Sequence, residues 1–258
     1  MRHFNFIKES LRDINSTLEH FNTKVLAITS DITSAFNQLQ SYYKINAVYS
    51  HVETGLLLTY NRDKEFTRYC RNNFIKWIEN KNNGVERGLV NRENWFENWE
   101  AYMHQKLESF QPKEGQLLTL SEIRALENVV IVTDLKTPKE AVFQKGGSTT
   151  GWKYADSFFE SRHTDYMFNI SKPEASRSSC SRISPYLAWG NLSIRQVFQR
   201  GQTVKGQTKD KRHIGAFLSR LRWQAHFIQK FEMEHTMEKE SIKKSQQKLK
   251  KSKNEDYK

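Results

Sequence analysis

Apolar positions recur at steps of three and four from the N-terminus. Phe4, Ile7, Leu11, Ile14, Leu18 and Phe21 fall on one stripe of a helix. The period then changes: Lys24 to Ser30 (KVLAITS) predicts a buried strand. A second helix follows, with Ile32, Phe36 and Leu39 inward. Ile45 to Ser50 (INAVYS) predicts another strand, Asn61 to Asn73 a polar helix, and Phe74 to Glu79 (FIKWIE) a third strand. Strands alternating with helices at this spacing imply a parallel sheet with right-handed crossovers. Residues 1–104 are therefore expected to form an α/β unit, whose first helix has no strand before it to cover.

Beyond Asn91 the pattern is different. NRENWFENWEAYM (Asn91 to Met103) is an aromatic-rich helix. Residues 105–145 predict a connector, with a helical turn at SEIRAL (Ser121 to Leu126) and a strand at NVVIVTD (Asn128 to Asp134). Residues 146–238 predict helices throughout, a second, all-α unit. Residues 239–258 form a Lys-rich tail, expected to be disordered or a frayed helix. No internal repeat is present.

Charge narrows the partner class. The formal net charge is +12, and a surplus of this size favours an anionic partner such as nucleic acid. The tail holds part of it: eight Lys from Lys239 to Lys258 against Glu240, Glu255 and Asp256 leave +5, and the other +7 is spread over the body. Cys70 and Cys180 alone in 258 residues argue for a reducing compartment and against a disulfide framework. No run approaches the ~18 apolar residues of a membrane helix, and the first residues lack a signal peptide's apolar core. The expectation is a soluble, cytoplasmic protein.

Two stretches carry candidate chemistry. In SCSRISPYLAWGNLSIRQVF (Ser179 to Phe198), Ser184 and Pro185 signal a helix start, Gly190 a left-handed helix end, and Ser193 the cap of a second helix. Unsatisfied N–H groups at such a start favour an anion by about 0.3–1 kcal/mol. Ser181 and Arg182 stand just upstream and can donate to a phosphate. Plain capping accounts for the same residues. In the helix from His213 to Glu234, Ile214, Phe217, Leu218, Leu221, Ala225, Ile228 and Phe231 form one stripe, with Trp223 and Phe227 on the far side between Arg220 and Gln224. Either this helix is packed on two sides, or those four residues line a cleft for an aromatic ligand or a stacked base. KGGSTTG lacks the Gly-Lys-Ser/Thr of a phosphate loop and predicts a turn before a helix. The His residues show no metal-ligand spacing, and no Gly-x-Ser-x-Gly occurs.

These stretches resemble the photolyase and cryptochrome family. SCSRISPYLAWGNLSIRQVF is similar to its TSRLSPYLAFGELSPR segment, which wraps the diphosphate of FAD. FLSRLRWQAHFIQKFEME is similar to its LxELxWREFY helix, which borders flavin and DNA lesion. GGSTTGWKYADSFF resembles the GGExxAxxxLxxFL entry to the FAD domain. HVETGLLLTYNRDKEFTRYCRNNFIKWIENKNNGVERG resembles the HEExGxxxTxxRDxxVxxWCxxxGIxW stretch of the α/β antenna domain. The four matches are collinear across residues 2–240.

The resemblance implies an α/β antenna domain followed by an all-α, partial FAD-binding domain. It implies FAD contacts at Tyr166, Cys180, Ser181, Arg182, Ile183, Ser184, Phe217 and Gln224, and DNA contacts at Arg220, Trp223 and Phe227. Four positions depart from the pattern. Cys180 replaces a Thr, Phe217 a frequent Trp, Arg220 a lesion-contacting Glu, and Gln224 a common Arg. The family's opening strand and its later helices have no counterpart here, so the chain is expected to be an interior piece, about half of a full member. The implied activity is light-driven repair of cyclobutane pyrimidine dimers in DNA by reduced FAD, with an antenna pigment left open, and the expectation is that this chain does not repair DNA alone. The alternatives are a cryptochrome-like blue-light sensor and a non-enzymatic, basic nucleic-acid-binding remnant.

Overall fold

The computed structural model describes residues 2–136 and 143–247. Its first part contains helix α1 (Arg2–Leu18), α2 (Ile32–Gln40), strand β1 (Ala47–His51), α3 (Leu57–Asn72), β2 (Lys76–Asn80) and α4 (Trp95–Met103). Asp31 caps α2, its Oδ1 accepting from the Ser34 N–H at 2.9 Å. The two strands are parallel, in register from Ala47 opposite Lys76 to His51 opposite Asn80, with α3 as the crossover. Beneath them Phe66, Cys70 and Ile75 form a small core, closed by Phe36 and Trp77, whose rings each stand 5.0 Å from that of Phe66.

The sheet is narrower than the sequence pattern suggests. KVLAITS is not a strand of it. Its centre pairs antiparallel with the NVVIVTD segment through one bridge, Ile28 to Val132, with Thr29 N–H donating to the Ile131 carbonyl (2.7 Å) and Thr133 N–H to that of Ala27 (2.8 Å). Val129, Ile131 and Val132 are exposed. With no layer to cover them, the apolar run has no burial to extend the pairing. Helix α5 (Leu120–Glu127) precedes it, capped reciprocally by Thr119 and Glu122.

The second part is helical, as predicted: α6 (Ser148–Glu160), α7 (Tyr166–Asn169), α8 (Ser176–Ser179), α9 (Ser184–Ala188), α10 (Ile194–Gln207), α11 (Lys211–Met233) and α12 (Lys244–Gln247). The tail beyond residue 247 lies outside the described residues. No helix among the described residues is long and apolar enough to cross a membrane. The main core joins Trp99 and Met103 of α4, Phe158 and Phe159 of α6, Tyr186 of α9, Val197 of α10, and Ile214, Phe217, Leu218 and Leu221 of α11.

Two polar devices fix this assembly. The first corrects the stripe expected of α1. Its buried positions are Phe6, Glu9 and Ser10, while Phe4, Ile14 and Phe21 are exposed. Helix α1 turns acceptors, not only carbons, toward the start of α6. Glu9 Oε2 accepts from Gly146 N–H (2.7 Å), Ser10 Oγ from Gly147 N–H (3.1 Å), and Asp13 Oδ2 from Thr149 N–H (3.1 Å) and Ser148 Oγ (2.9 Å). An N-terminus leaves unsatisfied amides, and here a neighbouring helix satisfies them. The second device is Gln229, fully buried on α11. Its amide accepts from Glu86 N–H and donates to the Glu86 carbonyl, both at 2.8 Å.

Replacing Gln229 by Leu strands both groups of Glu86, and we expect a loss of about 1–3 kcal/mol in urea unfolding; an unchanged midpoint would show the clamp to be dispensable. Asp13→Ala should cost about 1 kcal/mol, the usual worth of a lost cap. Burial pushes the Asp13 carboxyl up, but its hydrogen bonds from Thr149 and Ser148 outweigh this and hold it below its ordinary value of 3.8. A lowered carboxyl adds stability above its unfolded pKa and loses it as pH falls through the folded one. The gap between Asp13→Ala and the parent chain should thus stay constant near neutrality and close below about pH 4.

Candidate functional site: an anion-binding turn beside helix α11

The turn between α8 and α9 has an unusual backbone. Arg182 lies in the left-handed region at φ +59°, and Ile183 follows with right-handed values (φ −92°, ψ 0°). Successive left- and right-handed residues turn neighbouring N–H groups toward one concavity, which suits an anion. The N–H groups of Ser181, Arg182, Ile183 and Ser184 have no acceptor among the described residues, and the hydroxyls of Ser181 and Ser184 make no hydrogen bond there. Ile183 is buried, Ser181 and Arg182 are half-buried and Ser184 is exposed, so the row of donors is open to water or to an anion.

The expected capping role of Ser184 does not hold. Ser184 is the first residue of α9, Ile183 is at the cap position, and no side-chain cap bond forms. Ser184 therefore stands inside the first turn, one residue past the cap position. Gly190 is left-handed at φ +71°, as the sequence requires, and Ser193 precedes α10 with its N–H donating to Gln196 Oε1 at 3.4 Å.

The turn is held from behind. Gln144 Nε2 donates to the Arg182 carbonyl (2.9 Å), and Tyr186 Oη to that of Lys145 (2.7 Å). Arg162, which the sequence motifs do not single out, donates to the carbonyls of Ser178, Cys180 and Ser181. Its only sequence signal is a lone basic residue amid the aromatic positions Phe158, Phe159 and Tyr166.

Tyr166 connects the turn to α11. It is buried with its ring 6.0 Å from that of Phe217, and its hydroxyl is pushed up to about 12 by burial, then by the nearby Cys180, with Arg220 acting the other way. Tyr166, Cys180, Phe217 and Arg220 are thus brought together. Burial outweighs the two nearby arginines in raising the Cys180 thiol, so it is a poor nucleophile. Phe217 and Ile183 are buried in the core, and Gln224 is exposed.

Trp223 and Phe227 lie further along α11, their rings 5.5 Å apart and 46% and 59% exposed. The far face of the helix is therefore open, not packed on both sides. Trp223 also lines a cleft of about 400 Å³ against α4, with Arg92, Phe96, Arg222 and His226. The Arg222 guanidinium stacks 4.7 Å from the Phe96 ring. Burial first, then Arg92, lowers the His226 pKa.

No protein-family model matches the chain, and no curated protein does. Solved structures do match. A bacterial class III photolyase from Agrobacterium tumefaciens superposes with a TM-score of 0.70 at 14% identity, covering 95% of this chain and 53% of that one. An archaeal photolyase from Sulfolobus tokodaii, solved with two FAD molecules, gives 0.67 at 15% identity, covering 99% and 54%. A cryptochrome from Synechocystis sp. PCC6803 gives 0.65 at 16%, covering 90% and 50%. The chain spans about half the length of these structures, and over that span it has the fold of photolyases and cryptochromes.

Proposed function

We propose that this chain is a photolyase-type flavoprotein whose 180–184 turn takes the diphosphate of FAD. The observation that carries the reading is the row of open amides at Ser181 to Ser184, curled by the left-handed Arg182. Burial first, then the nearby Arg182, lowers the Arg162 pKa, and no carboxylate contributes there. Positive charge without a carboxylate ion pair among the described residues, beside open N–H donors, fits a diphosphate. Ser181 and Ser184 add hydroxyl donors. Bound there, FAD would supply light absorption and single-electron transfer. Tyr166 and Phe217 provide the apolar floor between the turn and α11, and Cys180 and Ile183 complete its edge.

The exposed face of α11 supports a nucleic-acid contact. Trp223 and Phe227 offer ring surface, and Arg220 and Arg222 have no carboxylate ion pair among the described residues. Stacked bases and backbone phosphates suit that combination. By this reading the ancestral activity is light-driven reversal of pyrimidine dimers in DNA, and the chain alone does not perform it, because Trp223 and Phe227 are left about half exposed. Exposed Arg220 in the place of a Glu favours a second reading, a cryptochrome-like sensor that responds to light through a partner.

Mixing the purified chain with FAD and measuring bound flavin absorbance tests the first part. Binding is expected, with no light-dependent reversal of thymine dimers in an oligonucleotide. No flavin binding would sink the flavoprotein reading, and turnover would sink the claim that the chain does not repair alone. Arg182→Gly separates charge from fold: glycine accepts a left-handed φ freely, relieving about 1 kcal/mol of strain. FAD affinity should fall while the melting temperature holds or rises; equal affinity would remove the Arg182 side chain from the site.

A further inference from the structure

Arg162 lies two residues past the end of α6, outside every motif that suggested the flavin site, yet three of its five contacts reach the backbone entering that site. Nη1 donates to the carbonyl of Ser178 at 3.2 Å and to that of Cys180. Nη2 donates to the carbonyls of Tyr154 (2.7 Å) and Ser181 (3.4 Å), and Nε to Ser157 Oγ (3.1 Å). A guanidinium has five N–H groups in a rigid fork, and these five contacts use the whole fork. Two anchor points, Tyr154 and Ser157, belong to α6, and three to the segment entering the turn. Arg162 therefore ties that segment to a rigid helix.

The tie has a directional consequence. In a planar peptide the carbonyl of one residue and the N–H of the next point opposite ways. Drawing the carbonyls of Cys180 and Ser181 toward Arg162 sends the N–H groups of Ser181 and Arg182 away from it, the direction in which no acceptor is found among the described residues. The same charge is left without a carboxylate partner, since only neutral oxygens receive its bonds. A desolvated charge solvated only by dipoles keeps a positive potential at the opposite edge of those peptides.

We infer that Arg162 is the positioning residue of the anion site: it sets the amides of Ser181 and Arg182 in their outward orientation and lends the turn its charge, so that the site selects a flavin carrying a diphosphate over one without. This rests on the flavoprotein reading for the identity of the ligand, but not for the presence of an anion site.

The test compares FAD, riboflavin and inorganic pyrophosphate on the full chain, for the parent, Arg162→Lys and Arg162→Met, by titration calorimetry with melting curves alongside. Arg162→Met should weaken FAD and pyrophosphate by roughly ten- to a hundredfold, the worth of one or two charge-assisted bonds, and leave riboflavin unchanged. Arg162→Lys restores charge without the fork, and should recover part of the pyrophosphate affinity. A merely structural arginine would move all three ligands together with the melting temperature. An unchanged ratio of FAD to riboflavin affinity in either folded variant overturns the inference, and Arg162→Lys carries the test if Arg162→Met does not fold. Parent chain that binds pyrophosphate but not FAD removes the flavin and leaves the positioning role intact; parent chain that binds neither overturns both.

Discussion

Helix α1 can approach the start of α6 only because two consecutive residues there have no side chain. A Cβ on Gly146 would lie 2.1 Å from the Phe6 carbonyl oxygen, and one on Gly147, at φ +106°, 2.7 Å from Asp13. That approach lets Glu9, Ser10 and Asp13 reach the open amides of α6. It also seats Phe6 against Tyr186, their rings 5.3 Å apart, and Ser10 Oγ against Asn191 Oδ1 at 3.3 Å. The N-terminal helix, helix α6 to which Arg162 is bonded, and the 180–184 turn are thereby one packed unit. Loosening the glycine contact would loosen the site, although no residue of it touches the turn's free N–H groups.

Charge is handled in two opposite ways. Near the sheet, Asp63 is buried but receives Arg62 at 2.7 Å and Arg87 at 3.2 Å, and Arg87 also donates to the Glu53 carbonyl at 2.6 Å. That cluster is balanced within itself. Around the 180–184 turn, Arg162 and Arg182 have one another and neutral oxygens. Burying one sign of charge without its counterpart is costly. The cost is offset when an anion arrives, which is the physical reason to read the imbalance as recognition and not as support.

Helix α11 connects the two parts. One stripe is core, Gln229 at its far end grips Glu86, and the opposite face carries Trp223 and Phe227 into the open. A helix with a rigid inner face and exposed aromatic rings presents stacking surface at little conformational cost. On its inner side the helix meets the 180–184 turn through Tyr166, whose ring stands 6.0 Å from that of Phe217 and whose hydroxyl lies near Cys180.

Local pattern alone determined much of this. The period of three and four located α1, α2 and α11, the glycine pair marked the turn before α6, the Gly190 helix end followed from its sequence, and β1 and β2 were placed to within two residues. These features depend on neighbours a few positions apart, which a sequence displays directly. What tertiary structure decided were long-range matters. Whether KVLAITS joins the sheet depended on a covering layer, and none is present among the described residues. Which face of α1 turns inward depended on amides 137 residues away, not on its own apolar stripe. The position of Arg182 was readable, but not its left-handed backbone. Arg162 was invisible because its partners are carbonyl oxygens, which every residue possesses and no sequence marks.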